Sequence, residues 1–217
     1  MPPSSPDRVL ALLPLRVVID ACVFPQTKRW LVPLIDASKT GYIILIWSPL
    51  IIAESNRVLT WLWLKRHGRE FSNSTWRQCS TDFKRMFGRL TSVFHVIEDS
   101  PPLAEAWIEP SDVWDIPIWT AAKRGSADFI VTENLSDGPP RNEEGFREYD
   151  GIVFSHPDEF LGLLTVVADY LEAQDLVQSA EDPKRAEGGS VASLELPLEV
   201  RRLLNKVIER KLGTNGK

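Results

Sequence analysis

The chain has 217 residues, of which 43% are hydrophobic and 25% charged, and its net charge is -5. This length predicts one domain with a tail, because a domain typically takes roughly 100 to 200 residues. Its two cysteines, Cys22 and Cys79, come without clustered histidines or further cysteines, which argues against a disulfide framework and a structural zinc site. The first residues lack the basic and then apolar segments of a secretory signal, and no apolar run approaches the length of about 20 residues that spans a bilayer, so we expect a cytoplasmic protein without membrane contact.

Strand-like and helix-like segments alternate along the first three quarters of the chain. Apolar, β-branched composition predicts buried strands at 15–19, 42–47, 92–97, 127–132 and 151–154. Capping residues and helical spacing predict helices between Pro25 and Gly41, from Ser48, from Ser72, between Asp115 and Gly125, and from His156. Such alternation indicates an α/β fold with a mainly parallel sheet of about five strands.

The composition changes towards the end of the chain. After an N-terminal segment (1–14) and the α/β domain (15–172), the polar residues 173–195 predict a flexible linker. Residues 196–217 predict an amphipathic helix with one apolar stripe. That stripe either packs back on the core or buries its apolar face against a second protomer or another protein.

Four side chains that carry hard oxygen ligands fall where buried strands end or helices begin. They are Asp20, Glu54, Asp115 and Asn134. The carboxyl edge of a parallel sheet is the usual place for a site in an open α/β fold, so we expect these side chains to converge. Converging carboxylates repel one another unless a cation lies among them, and hard oxygen atoms suit Mg²⁺ or Mn²⁺. The sequence therefore predicts a divalent-cation phosphodiesterase.

Four motifs together resemble the PIN domain family, and in particular its VapC-like branch of toxin components of toxin-antitoxin systems. They are the run 17–24 around Asp20, Trp47-Ser48 followed by Glu54, the stretch 115–128, and the run 131–137 around Asn134. Each motif is weak alone, and their order and spacing carry the resemblance, which extends from residue 15 to about 162. It implies a three-layer αβα sandwich and a metal-dependent ribonuclease that acts on single strands.

The resemblance also implies a role for each site residue. Asp20, Glu54 and Asp115 match the first three acids of the family, while the fourth falls on Asn134, with Thr132 supplying a hydroxyl beside it. Because Asn134 lacks a negative charge, Asp112 and Asp137 are the two candidates to replace the fourth acid. Beyond Asp137 the sequence Gly138-Pro139-Pro140 departs from the family pattern, in which an aromatic residue and a proline usually follow.

Each of these residues also has a purely structural interpretation. Asp20 and Asp115 stand where a carboxylate caps a helix, and Glu54 is three residues before Arg57, the spacing of a surface ion pair. Asp137, next to a glycine, is typical of a turn. We favour metal binding for the first three, and we interpret Asp137 as a turn residue.

A basic segment follows Glu54 in an otherwise acidic chain. Between Ser55 and Leu90, eight lysines and arginines outnumber two acids. Arg57, Lys65 and Arg66 are the predicted contacts with the RNA backbone. The aromatic residues among them are expected either in the core or stacked on unpaired bases: Trp61, Trp63, Phe71 and Trp76.

The main hypothesis is an endoribonuclease that hydrolyses single-stranded RNA with Mg²⁺ or Mn²⁺, acting as the toxin that a small antitoxin protein neutralises. Two alternatives remain open. One is a housekeeping RNA-processing nuclease, since related folds host several nucleases. The other is a non-catalytic RNA-binding or protein-interaction module with a degenerate PIN fold, for which Asn134 is the supporting feature. A homodimer is compatible with each.

Overall fold

A computed structural model describes residues 13–67, 77–78, 81, 85, 88, 93–97, 115–181 and 197–214. The chain divides into two compact units, of which one spans residues 14–158 and the other contains the helical region from Glu159 onwards. The candidate ligand Asp112 and most of both the helix expected from Ser72 and the expected linker lie outside the described residues.

The first unit is built on a six-stranded, mostly parallel sheet. Its strands are β1 (Leu15–Ile19), β2 (Ile43–Trp47), β3 (Phe94–Val96), β4 (Phe129–Val131), β5 (Arg147–Tyr149) and β6 (Ile152–Ser155). Their order across the sheet is β3-β2-β1-β4-β6-β5, and all neighbours are parallel except β5 and β6. The α/β fold with a central, mainly parallel sheet flanked by helices is therefore confirmed, with one strand more than the expected five.

The additional strand, β5, forms an antiparallel hairpin with β6. Asp150 and Gly151 connect the two strands, and both have a positive φ, of 51° and 74°. Two such residues in a row are the requirement of a tight two-residue turn whose twist matches that of the flanking strands. The Asp-Gly pair is the sequence signal by which this hairpin could have been predicted.

Within the described residues of this unit, three α-helices and an irregular helical segment accompany the sheet. A 3₁₀ helix (Ala21–Gln26) and one π-helical turn (Thr27–Leu31) lead into α1 (Val32–Lys39). The other two are α2 (Pro49–His67) and α3 (Ile116–Arg124). Helix α3 packs on β1, β2 and β4, and α2 packs on the 3₁₀ segment. The helix expected from Pro25 therefore begins earlier, and Pro25 lies inside its 3₁₀ part.

The strand order places a crevice between β1 and β4. The chain leaves β1 towards β2 on one side, whereas β4 and β6 lie on the other side. In open α/β sheets, such a switch point at the carboxyl ends of the strands is where ligands bind. Ile19 and Val131, the last residues of β1 and β4, are paired, so the residues that follow them emerge side by side.

Close packing under the sheet holds these strand ends in place. Phe24 of the 3₁₀ segment stacks on Trp47 at 5.5 Å between ring centroids, and Trp47 lies 4.3 Å from Phe94. All three side chains are buried. Aromatic burial of this extent dominates the energetics of a core, which fixes the segment after β1 against β2 and β3.

The second unit contains α4, which runs from Pro157 to Glu181, and α5 (Leu198–Thr214). Because α4 reaches Glu181, the first part of the expected linker 173–195 is helical, which corrects its predicted start. In α5, Leu204 and Val207 of the expected apolar stripe are buried, whereas Leu198 is exposed. None of the described helices is both long enough and apolar enough for a membrane span.

Candidate functional site

Asp20 lies directly after β1 and is buried. Its carboxylate caps the 3₁₀ helix, because Oδ1 accepts a hydrogen bond from the backbone N–H of Cys22 at 3.3 Å. The capping interpretation of Asp20 is thus correct for one oxygen. The other oxygen, Oδ2, faces β4 and has different partners.

Thr132 connects the ends of β4 and β1. Its hydroxyl donates a hydrogen bond of 2.6 Å to Asp20 Oδ2 and accepts one of 3.0 Å from the backbone N–H of Asn134. The backbone N–H of Thr132 donates to the carbonyl of Ser155 at the end of β6. A buried charge needs such donors to offset its desolvation, and Thr132 supplies one across the crevice.

Cys22 is a neighbour of Asp20 that the sequence analysis did not identify. Its thiol donates to Asp20 Oδ2 at 3.0 Å, and its sulfur accepts a hydrogen bond from the Glu133 backbone at 3.2 Å. Burial, and secondly the charge of Asp20, raises the pKa of the Cys22 thiol to about 12. The thiol therefore stays protonated and acts as a donor. The signal in the sequence was its position two residues after a capping aspartate.

A cleft of about 360 Å³, including space open to solvent, lies over this crevice. Its polar wall consists of Asp20, Asp115, Thr132, Asn134 and Asp137. Its apolar wall consists of Ile118, Trp119, Ile130, Gly138 and Phe154. Three of the four positions predicted to converge, Asp20 and, more than 90 residues later in the chain, Asp115 and Asn134, therefore line one cleft.

Asp115 stands at the start of α3, where the sequence left capping and metal binding as competing interpretations. Its side chain makes no capping hydrogen bond to the helix. Asp115 lines the cleft, so its side chain lies at the site and does not cap the helix end. This observation favours the metal-binding interpretation.

Asn134 and Asp137 form a small polar network at the rim. The Asn134 side-chain amide donates to an Asp137 carboxylate oxygen, and its carbonyl accepts a hydrogen bond of 2.9 Å from the Ser136 hydroxyl. Residues 135–137 form a 3₁₀ turn, so the turn interpretation of Asp137 is correct. Asp137 nevertheless brings a carboxylate to the cleft, at the place where Asn134 lacks one.

Glu54, on the second turn of α2, is not among the residues described as lining the cleft. Burial, and secondly the negative charge of Asp20, raises the pKa of Glu54, while Arg57 opposes the shift. The ion pair expected with Arg57 is present at 3.4 Å. The electrostatic interaction with Asp20 places Glu54 near the site, as expected for a carboxylate that shares it.

The donor set of the cleft has the chemistry that a hard divalent cation requires. Asp20, Asp115 and Asp137 offer carboxylate oxygens and Asn134 an amide oxygen, the ligand types that Mg²⁺ and Mn²⁺ prefer. Within the described part of the chain, no three His, Cys, Asp or Glu side chains are close enough together to hold a metal ion. The cleft therefore offers the right ligand types but, within the described residues, no preformed group of three acids, so a cation there would depend on waters for part of its coordination, as Mg²⁺ usually does.

The predicted RNA contacts lie on α2, beyond Glu54. Arg57, Lys65 and Arg66 are all exposed. Lys65 Nζ lies 5.0 Å from the ring centroid of Trp61, which is itself 57% exposed. Trp61 is therefore a surface residue, which excludes the core interpretation for it and leaves base stacking a prediction.

Comparison with protein families gives one match: the family model described as "PIN domain" matches residues 11–136. The matched region is more than half of the chain and includes Asp20, Glu54, Asp115, Thr132 and Asn134. Neither curated proteins nor solved structures give a match to the chain.

Proposed function

Because the chain belongs to the PIN domain family, whose members are typically metal-dependent nucleases, we propose that it is an endoribonuclease that hydrolyses phosphodiester bonds of single-stranded RNA. The observation that carries the proposal is the common cleft of Asp20, Asp115 and Asn134 at the switch point of the sheet. Side chains that carry oxygen atoms line this cleft, in the position where open α/β folds bind their ligands.

In this proposal Asp20 and Asp115 hold Mg²⁺ or Mn²⁺, and Asn134 and Asp137 complete the ligands or the water network at the rim. Asp112 is the other candidate for the fourth acid. When bound, such a cation would supply Lewis-acid chemistry, namely activation of the attacking water near neutral pH and neutralisation of the charge on the phosphate. Glu54, whose pKa is raised beside Asp20, binds the cation or orients the attacking water.

The hydrogen bonds of Asp20 define how it takes part. Its Oδ2 atom already accepts bonds from the Thr132 hydroxyl and the Cys22 thiol. These two donors hold the Asp20 carboxylate in one orientation. The carboxylate therefore needs less reorientation during the reaction. Thr132 and Cys22 are therefore positioning residues in this proposal.

The finer biological role proposed is that of a toxin of a toxin-antitoxin pair, in a reducing cytoplasm, with the nuclease domain in residues 15–172 and α5 as a C-terminal extension. Expression should then arrest growth, and a small partner protein should relieve the arrest. Unaffected growth would instead favour a housekeeping RNA-processing nuclease. A degenerate module that binds RNA without cleaving it is the second candidate, and Asn134 in place of an acid is the observation in its favour.

The test is cleavage of end-labelled single-stranded RNA by the full chain with Mn²⁺, with and without a chelator. We expect cleavage that the chelator abolishes, and loss of cleavage in Asp20→Asn. Asp36→Asn is the matched control, because Asp36 is an exposed carboxylate on α1 that pairs only with Lys39 in the contacts seen. Cleavage that continues in the chelator, or in Asp20→Asn, would contradict the proposal.

A further inference from the structure

Helix α2 carries a row of side chains that begins at Glu54. Arg57, Trp61 and Lys65 follow at intervals of three, four and four residues, the spacing that places side chains one above another on a single helix face. With a rise of about 1.5 Å per residue, the row extends roughly 16 Å from Glu54. It therefore leads from the acidic site outwards along the helix.

Trp61 is the unusual member of this row. Its side chain is 57% exposed, although an indole is large and is usually well buried. Lys65 Nζ lies 5.0 Å from the indole centroid, within the range of a cation–π interaction. Because Lys65 lies over one face of the indole, a nucleic acid base would stack on the other face, with the ammonium close enough for the adjoining phosphate.

Arg57 supplies the second cation. Its side chain is 71% exposed and contacts Glu54 at 3.4 Å. Arg57 is the exposed partner of this ion pair, since the Glu54 side chain is only 23% exposed, so a phosphate in solution can reach the guanidinium and exchange with the carboxylate. Arginine is well suited to that exchange, because its planar fork of donors matches phosphate geometry.

We propose that Arg57, Trp61 and Lys65 form the track along which single-stranded RNA approaches the acidic cleft, with one unpaired base stacked on Trp61 and the flanking phosphates on the two cations. The inference deepens the proposed nuclease function and rests on it for the identity of the strand. The positive charge of the track complements a polyanion. Its first member, Arg57, contacts Glu54, which interacts electrostatically with Asp20 of the cleft, so the track begins near the cleft.

The track also predicts that the protein binds single-stranded RNA in preference to a duplex. In a duplex, the bases are stacked on one another and are not available to an aromatic side chain on the protein surface. Arg66, although exposed and one residue from Lys65, lies about 100° further around the helix and outside the row. The structure thus divides the cations expected from the sequence into two on the track and one beside it.

The test measures binding of a fluorescent single-stranded RNA oligonucleotide to the full chain in a chelator, by anisotropy, so that cleavage plays no part. Trp61→Ala should weaken binding by about fivefold to a hundredfold, the range reported for loss of one stacked base, and Trp61→Phe should restore most of the affinity. Lys65→Gln should weaken binding more than the matched Arg66→Gln, and should reduce the salt dependence by about one phosphate contact. The melting temperature of each variant checks that it is folded.

The outcomes separate this inference from the nuclease proposal. Unchanged affinity in folded Trp61→Ala overturns the track, even where the wild type cleaves RNA with Mn²⁺. A change in the mass in solution of Trp61→Ala, with unchanged RNA affinity, also overturns it and assigns Trp61 to a contact between proteins. Weakened RNA binding in Trp61→Ala, together with no cleavage by the wild type, supports the track and contradicts the nuclease function. Absence of any RNA binding by the wild type overturns both.

Discussion

The hydroxyl of Thr132 lies 2.6 Å from Oδ2 of Asp20, a hydrogen bond between residues 112 positions apart in the chain. It joins the ends of two neighbouring parallel strands, β1 and β4, at the place where the strand order reverses. The same oxygen of Thr132 accepts the backbone N–H of Asn134. The Thr132 hydroxyl therefore links Asp20 to the loop that carries Asn134.

Replacing this hydroxyl tests whether Thr132 positions the site. Thr132→Val keeps the shape but leaves the Asn134 N–H without this acceptor and Asp20 without its shortest hydrogen bond. We expect a loss of about 1 to 3 kcal/mol in the free energy of unfolding, measured in urea, and a fall in the cleavage rate at saturating RNA. Thr132→Ser, which retains the hydroxyl, should keep the larger part of both. A large effect of Thr132→Ser together with a small effect of Thr132→Val would show that the methyl group, and not the hydroxyl, matters.

Replacing the amide of Asn134 by a carboxylate tests how the site responds to an added negative charge. Asn134→Asp replaces the donor to Asp137 with a second carboxylate, so without a cation the two acids repel each other. We expect destabilisation of about 1 kcal/mol in a chelator and a larger rise in melting temperature with Mn²⁺ than in the wild type, because ligand binding to the folded state stabilises it.

Asn142→Asp is a matched control for this substitution. Asn142 also donates its amide to a carboxylate, that of Glu148 at 3.2 Å, but neither residue lines the cleft. The control should lose stability in the chelator without gaining any additional response to Mn²⁺. A Mn²⁺ response of the same size in both variants would indicate a nonspecific effect of charge.

The Cys22 thiol provides a prediction on pH. Its pKa is raised from 9.0 to about 12, chiefly by burial and next by Asp20, and only a thiolate reacts with alkylating reagents. In a Cys79→Ser background, the alkylation rate of the folded protein should keep rising with pH well above 9, whereas the unfolded chain should level off near its ordinary pKa.

The raised pKa of the Cys22 thiol also makes the stability of the fold depend on pH. Above pH 9 the unfolded thiol loses its proton while the folded thiol retains it up to about pH 12, so the free energy of unfolding falls across that window. In Asp20→Asn one cause of the shift is removed, and the alkylation profile should move to lower pH. A profile of folded wild type that levels off at pH 9 would contradict the environment seen for Cys22.

The elements that the sequence predicts correctly are those fixed by burial. Strands β1, β2 and β4 are apolar runs buried on both faces, so their composition alone identifies them. Strand β5 is Arg147-Glu148-Tyr149 and half-buried throughout, and it exists because the Asp150-Gly151 turn folds it back on β6. Its three residues carry no pattern of their own, which is why composition missed it.

The candidate site divides along similar lines. Asp20, Asp115 and Asn134 could be placed at one cleft because strand ends and helix starts in a parallel sheet share an edge. The contact of Cys22 with Asp20 and the bond from Asn134 to Asp137 depend on side-chain orientation within tight turns, which residue spacing does not define. Glu54 was expected among the ligands. It interacts electrostatically with Asp20, and its role as a ligand stays a prediction that mutagenesis can test.

Gly125 offers a test of the fold that holds the site. It ends α3, and a Cβ added there would lie 2.8 Å from two side-chain carbons of Ile46 and 2.9 Å from the Ala121 carbonyl oxygen. Ile46 is fully buried in β2, and a packed core yields little to added volume. Gly125→Ala should therefore cost about 1 to 3 kcal/mol in the free energy of unfolding.

Gly162→Ala is the control that isolates this steric cause. Gly162 lies inside α4 with no atom within 4 Å of the added Cβ, and alanine favours a helix over glycine by about 1 kcal/mol. The same chemical change should then stabilise the protein at one position and destabilise it at the other, in urea unfolding followed by circular dichroism. Because α3 packs on β1 and β4, the strain of Gly125→Ala should also reach the ends of those strands and lower the affinity for Mn²⁺. If Gly125→Ala stabilised the protein as Gly162→Ala does, helix propensity, and not contact with Ile46, would govern the effect of substitution at Gly125.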